Sequence, residues 1–158
     1  YDQYLEECKK IKERNYLLLD LFKDDLIQSG LKDKTISRHL SNVEFYINEF
    51  LLYIDAYPME EGLNMLDDYL GNFYIRKCLW STPGNIKSTA ASIKKFYKSM
   101  VDHGKVDKED YLLAMERSPI RDIEIKYVLK QALTDKIHDR EIYMKGIDYS
   151  YYYEGYMI

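Results

Sequence analysis

Between Ile36 and Ile54 the apolar residues Ile36, Leu40, Val43, Ile47, Phe50 and Ile54 recur at spacings of four, three, four, three and four. That is the pattern of a helix with one buried stripe. A strand sends successive side chains to opposite faces, so it could not bury all six together. A period near 3.6 persists from the start of the chain to about residue 133. The expected fold is therefore all-α, a compact bundle of four main helices with one or two shorter ones.

The first predicted helix runs from about Gln3 to Gln28, with Leu5, Cys8, Ile11, Tyr16, Leu19, Phe22 and Leu26 on its inner face and Gly30 as its stop. Asp33 stands where an N-cap is expected, and the second helix follows from Lys34 to about Tyr53. Pro58 opens a short helical turn through Met59 to Leu63. A third helix over Met65 to Leu79 buries Leu66, Leu70 and Phe73, with Gly71 as a weak point or close-packing site. The run Ser81-Thr82-Pro83 reads as the start of a fourth helix, which buries Ile86, Ala90, Ile93, Tyr97 and Met100 and closes at Gly104. Asp107 caps a short fifth helix to Arg117, and Ser118-Pro119 begins a sixth that ends near Leu133. The expected domain is residues 1–133. Residues 134–158 lose the helical period and collect tyrosines, which reads as a tail or small hairpin turning near Gly146.

With 158 residues the chain makes one domain with a real core. Cys8 and Cys78 lie far apart without a CxxC spacing, which argues against a disulfide framework or a zinc site and fits a reducing cytoplasm. No apolar run approaches the ~18 residues of a membrane span, and no signal segment opens the chain. A chain that opens on Tyr1 rather than Met reads as a trimmed chain or a piece of a longer protein.

Charge is distributed unevenly. The chain carries a net charge of -4, yet residues 76–105 hold Arg76, Lys77, Lys87, Lys94, Lys95, Lys98 and Lys105 against Asp102 alone, a local net of +6. Lys87, Ala91, Lys94 and Lys98 recur at helical spacing on the fourth predicted helix, placing a cationic stripe behind an apolar one. Such a helix suits a row of phosphates, and it equally suits a solvated face.

Two runs carry a family resemblance. Leu31 to Leu51 has a polar loop ending in Asp33 and Thr35, then a helix with aromatic positions at Phe45, Tyr46 and Phe50. Ile86 to Gly104 has an apolar residue, the basic pair Lys94-Lys95, then Phe96-Tyr97 and a closing glycine. Together they resemble the second and fourth helices of the SAM-like core-binding domain of phage integrases and other tyrosine recombinases. The likeness covers about residues 15 to 115. It departs after the fourth helix, where Val106-Asp107-Lys108-Glu109 replaces the Asn-Pro that often follows there.

The resemblance implies a module that grips duplex DNA with its second and fourth helices. Its DNA-facing residues are expected to be Lys34, Arg38 and Asn42 on the former, and Asn85, Lys87, Lys94 and Lys98 on the latter. Lys and Arg neutralise phosphates, while Asn and Arg also read base edges. Binding by the isolated module is expected to be weak, and the module is expected to pair with a protein partner or with a catalytic domain in a longer chain. The alternative is a helical protein-interaction module that keeps this fold without nucleic acid, which the acidic pairs Asp24-Asp25, Glu60-Glu61 and Asp67-Asp68 favour. The two differ in one structural respect: DNA binding needs the basic residues of both helices on one continuous surface.

No catalytic constellation is expected. His138-Asp139-Arg140 lacks the His-x-x-Arg spacing of the recombinases, and the tail tyrosines have no base or phosphate clamp at readable spacing. His39, His103 and His138 lack partners at metal-ligand spacing and read as surface or cap residues. No glycine-rich phosphate loop is present, so no cofactor, metal or small-molecule substrate is expected. Trp80 is expected to plug the corner after the third helix rather than stack on a base.

Overall fold

The computed structural model describes residues 1–53, 55–77 and 83–117, with the side chains of Ile75, Lys77 and Pro83 left aside. Several expectations lie outside these residues: Ile54 as a core residue, the end of the third helix at Cys78 and Leu79, the corner role of Trp80, the Ser81-Thr82 cap, the sixth helix, the surface or cap role of His138 and the tyrosine-rich segment. Among the described residues every regular element is helical, so the chain is all-α.

Helix α1 spans Asp2–Gln28 and α2 spans Asp33–Glu44, the latter continuing without a break into a π-helical segment, Phe45–Phe50. A 3-10 turn, Glu61–Asn64, precedes α3 (Leu66–Asp68), a second π-helical segment (Tyr69–Phe73) and α4 (Tyr74–Lys77), which together make the predicted third helix. Helix α5 spans Pro83–Asp102 and α6 spans Lys108–Arg117. Asp107 caps α6 as expected, its Oδ1 accepting from the backbone N–H groups of Glu109 and Asp110 at 2.9 and 3.1 Å. Asp33 does not cap α2. Lys32 holds the cap position without a side-chain bond, and Asp33 sits in the first turn, where its charge faces the positive end of the helix.

Among the described residues the most extensive pairing of helices is α2 with α5. Val43, Ile47, Phe50, Ala90, Ile93 and Tyr97 are all buried, as the apolar stripes of these helices require. Helix α1 buries Cys8, Leu19, Phe22 and Leu26 as predicted, but two positions of its predicted inner face lie outside. Leu5 is 47% exposed and Tyr16 50% exposed, while Asn15 and Leu18 are buried instead. The amide of Asn15 explains its burial, since it donates to the Asn48 side chain at 2.8 Å and to the Ile47 carbonyl at 3.2 Å.

The two π-helical segments meet through their rings. Tyr46 and Phe50 stack at 5.6 Å, and Tyr69 lies 4.6 Å from Tyr46 and 4.8 Å from Phe50. Wide turns of this kind re-aim side chains within a helix, and here they bring three rings into one cluster. Beneath the cluster, Tyr46 donates to the Gly62 carbonyl and Tyr97 donates to that of Met59 at 2.6 Å. Burial pushes both phenols well above their ordinary pKa, so both remain hydrogen-bond donors at neutral pH.

Gly62 is required by space. A Cβ there would collide with the Tyr97 hydroxyl, approach the Leu51 side chain to 2.9 Å and the Tyr46 ring to 3.2 Å. Gly62→Ala should destabilise the fold by about 1–3 kcal/mol, the usual cost of overpacking. Thermal denaturation checks this, and an unchanged midpoint would show that the tyrosine seat yields freely.

Candidate nucleic-acid interface

Helix α5 starts on Pro83, whose fixed φ suits the first helical position. It carries no acid before Asp102. Gly104 ends it at φ +70°, donating to the Val101 carbonyl while Lys105 N–H reaches the Met100 carbonyl at 2.8 Å. Gly30 closes α1 in the same way at φ +74°. Ile86, Ala90, Ile93, Phe96, Tyr97 and Met100 face the core. Lys87, Lys94, Lys95 and Lys98 are exposed, since a one-residue offset turns a side chain by about 100° around the axis.

The directions of the helices follow from three contacts. Phe22 of α1 packs edge-on against Phe96 of α5 at 5.5 Å, and one turn further on Asp25 meets Ser99 and His103. Helices α1 and α5 therefore run parallel. The turn at Gly30 reverses the chain, so α2 begins near the end of α5 and runs antiparallel to it, crossing Ser92 at His39 and Asn42.

That crossing is a polar hub in an otherwise apolar seam. Ser92 Oγ lies 2.7 Å from His39 Nδ1, accepts from Asn42 Nδ2 at 3.0 Å, and donates to the Ser88 carbonyl at 3.0 Å. A hydroxyl has one proton and two lone pairs, so satisfying all three contacts places a proton on His39 Nδ1. His39 is buried, contrary to the surface role expected of it. Its burial, followed by the charges of Arg38 and Lys95, lowers its pKa, which keeps the imidazole neutral at pH 7.

The basic side chains extend from this hub in both directions. Arg38 and then Lys34 lie on the exposed side of α2, while Lys95, then Lys98 and Lys87, and finally Lys94 follow around α5. Among the described residues, ion pairs join Lys10 to Glu6, Arg14 to Glu60 and His103 to Asp25. None of those pairs uses a cation of the α2–α5 surface. Asn85 is exposed at the start of α5. Asn42 differs from the other expected contacts: it is half-buried and its amide is committed to Ser92. Lys95, absent from the expected set, is the α5 lysine nearest the seam.

A second cluster has the residue types of a hydrolase triad but not its wiring. Both Ser99 and His103 bond to Asp25, and the serine proton goes to the carboxylate rather than to the imidazole. Burial works to raise the Asp25 pKa, but the Ser99 and His103 hydrogen bonds outweigh it and hold the carboxyl below its ordinary value. A depressed folded pKa gives stability that is present at neutral pH and lost as pH falls through that value. The melting difference between the wild type and Asp25→Asn should therefore narrow below about pH 4. A gap that stays constant between pH 7 and pH 3 would contradict the ionised latch.

Among the described residues no group of His, Cys, Asp and Glu is placed to hold a metal ion, and no helix is long and apolar enough to cross a membrane. No protein-family model matches the chain, and no solved structure matches it.

Proposed function

We propose that this chain is a non-catalytic DNA-binding module that contacts duplex phosphates through α2 and α5, in the manner of the recombinase core-binding domains its sequence resembles. What supports the proposal is that Lys34, Arg38, Lys87, Lys94, Lys95 and Lys98 are all exposed on two helices that pack against each other, without ion-pair partners among the described residues. Recognition is chiefly of the backbone, because the exposed candidates on the two helices are mostly Lys, which neutralises phosphates, while Asn42 is half-buried and gives one amide N–H to Ser92. A role in DNA recombination, in the cytoplasm and beside a catalytic partner, belongs to the same proposal.

Binding to a short generic duplex at low salt should fall in the ~10⁻⁴–10⁻⁶ M range of non-specific contacts and weaken as salt rises. An absence of any shift at high protein concentration would favour the second reading, a protein-interaction module. That alternative draws on a groove of about 500 Å³ between the 3-10 turn and α6. Glu60, Asp67, Asp110 and Arg117 line it beside Leu63, Leu66 and Leu113. With three acids against one arginine, the groove suits a basic, partly apolar partner better than DNA.

A further inference from the structure

We infer that Arg38 and Lys95 form a single phosphate seat astride the α2–α5 seam, binding one backbone phosphate of the duplex between them. The inference rests on the proposed DNA-binding role and narrows it to a pair of residues on two different helices.

The geometry starts from the hub. Arg38 precedes His39 by one residue and lies one turn before Asn42, and both of those side chains engage Ser92. Lys95 lies one turn after Ser92. Because α2 and α5 are antiparallel, one step back along α2 and one turn forward along α5 lead in the same direction. The two cations therefore flank the same stretch of seam. Consistent with that placement, both charges act on the buried His39 ring.

The hub also fixes the seat's base. Ser92, His39 and Asn42 are each held by a hydrogen bond across or along the seam, which limits sliding of one helix past the other. Arg38 and Lys95 are exposed and have no ion-pair partner among the described residues. The acids of α2 stand at its two ends, Asp33 in the first turn and Glu44 accepting from Tyr16, so neither lies between the pair. On α5 the nearest acid is Asp102, two turns beyond Lys95. Two like charges held side by side repel until an anion arrives, and a phosphate oxygen pair suits the planar fork of Arg with Lys as the point charge beside it.

A shared phosphate makes a specific prediction for a double-mutant cycle on duplex binding at low salt. Arg38→Gln and Lys95→Gln should each weaken binding about five- to tenfold, and the double variant about tenfold rather than the roughly 25-fold or more of independent contacts. The pairing of Arg38→Gln with Lys87→Gln, across the surface, should instead be additive. The His39 ring supplies an independent readout: in an NMR titration its protonation should shift to higher pH when duplex is added to the wild type, because the phosphate offsets both neighbouring charges. Additive losses for Arg38 and Lys95, or a His39 titration unmoved by bound duplex, would overturn the seat while DNA binding itself stood. A wild type that binds no duplex would instead overturn the functional proposal, and the seat with it.

Discussion

Ile47→Asp should cost on the order of 4–5 kcal/mol of stability, enough to remove most of the margin of an ordinary domain. Ile47 is completely buried, on the α2 continuation that packs against α1 and the Tyr69–Phe73 segment, and its own carbonyl receives the Asn15 amide. A carboxylate there loses its hydration, and the surrounding core is built from Val43, Tyr46, Phe50, Leu51 and their neighbours, which offer no cation. The side chain would either ionise at large cost or stay protonated with an unsatisfied hydroxyl, and both routes destabilise. Ile47→Val, which removes one methylene and adds no polar atom, should cost only about 0.5–1.5 kcal/mol. Chemical denaturation of the pair separates the charge effect from the packing effect. Near-wild-type stability in Ile47→Asp would mean that the buried face of α2 is wrongly assigned.

The register of α2 was legible in the sequence because its apolar spacing alternates between three and four without a miss. The same held for α5, where Lys87, Lys94 and Lys98 fall outside because Ile86, Ala90 and Ile93 fall inside. Helix α1 was harder to read. Its inner face includes Asn15, a residue that joins a core only when a partner waits across the interface, and no local pattern reveals Asn48 or the Ile47 carbonyl. Tyr16 was misplaced for a related reason, since its hydroxyl reaches Glu44 on the surface rather than a core position.

The candidate surface was legible as a charge imbalance but not in its detail. His39 carries no sequence sign of burial, because the groups that satisfy it, Ser92 and the seam itself, are supplied by a helix fifty-three residues away. Asn42 looked like a free amide for the same reason. Lys95 was passed over because it breaks the spacing of Lys87, Ala91, Lys94 and Lys98. Its importance comes from proximity to the seam, which depends on how α2 crosses α5 and not on the α5 stripe alone.

The second large effect is on binding. Lys87→Ala, Lys94→Ala and Lys98→Ala together remove three exposed cations, without ion-pair partners among the described residues, and leave the buried face of α5 untouched. Folding should be almost unchanged, because exposed lysines contribute little to stability. Duplex binding should weaken strongly at low salt, since each lost phosphate contact forfeits the entropy of a released counterion.

The most direct test of the account is the salt dependence of duplex binding, measured for the wild type and for this triple variant. Each phosphate contact contributes about -0.9 to the slope of log affinity against log salt, so the variant's slope should be shallower by about 2.7. Equal slopes and equal affinities in two well-folded proteins would mean that the α2–α5 surface is only a solvated face, and that this chain does not bind DNA through it.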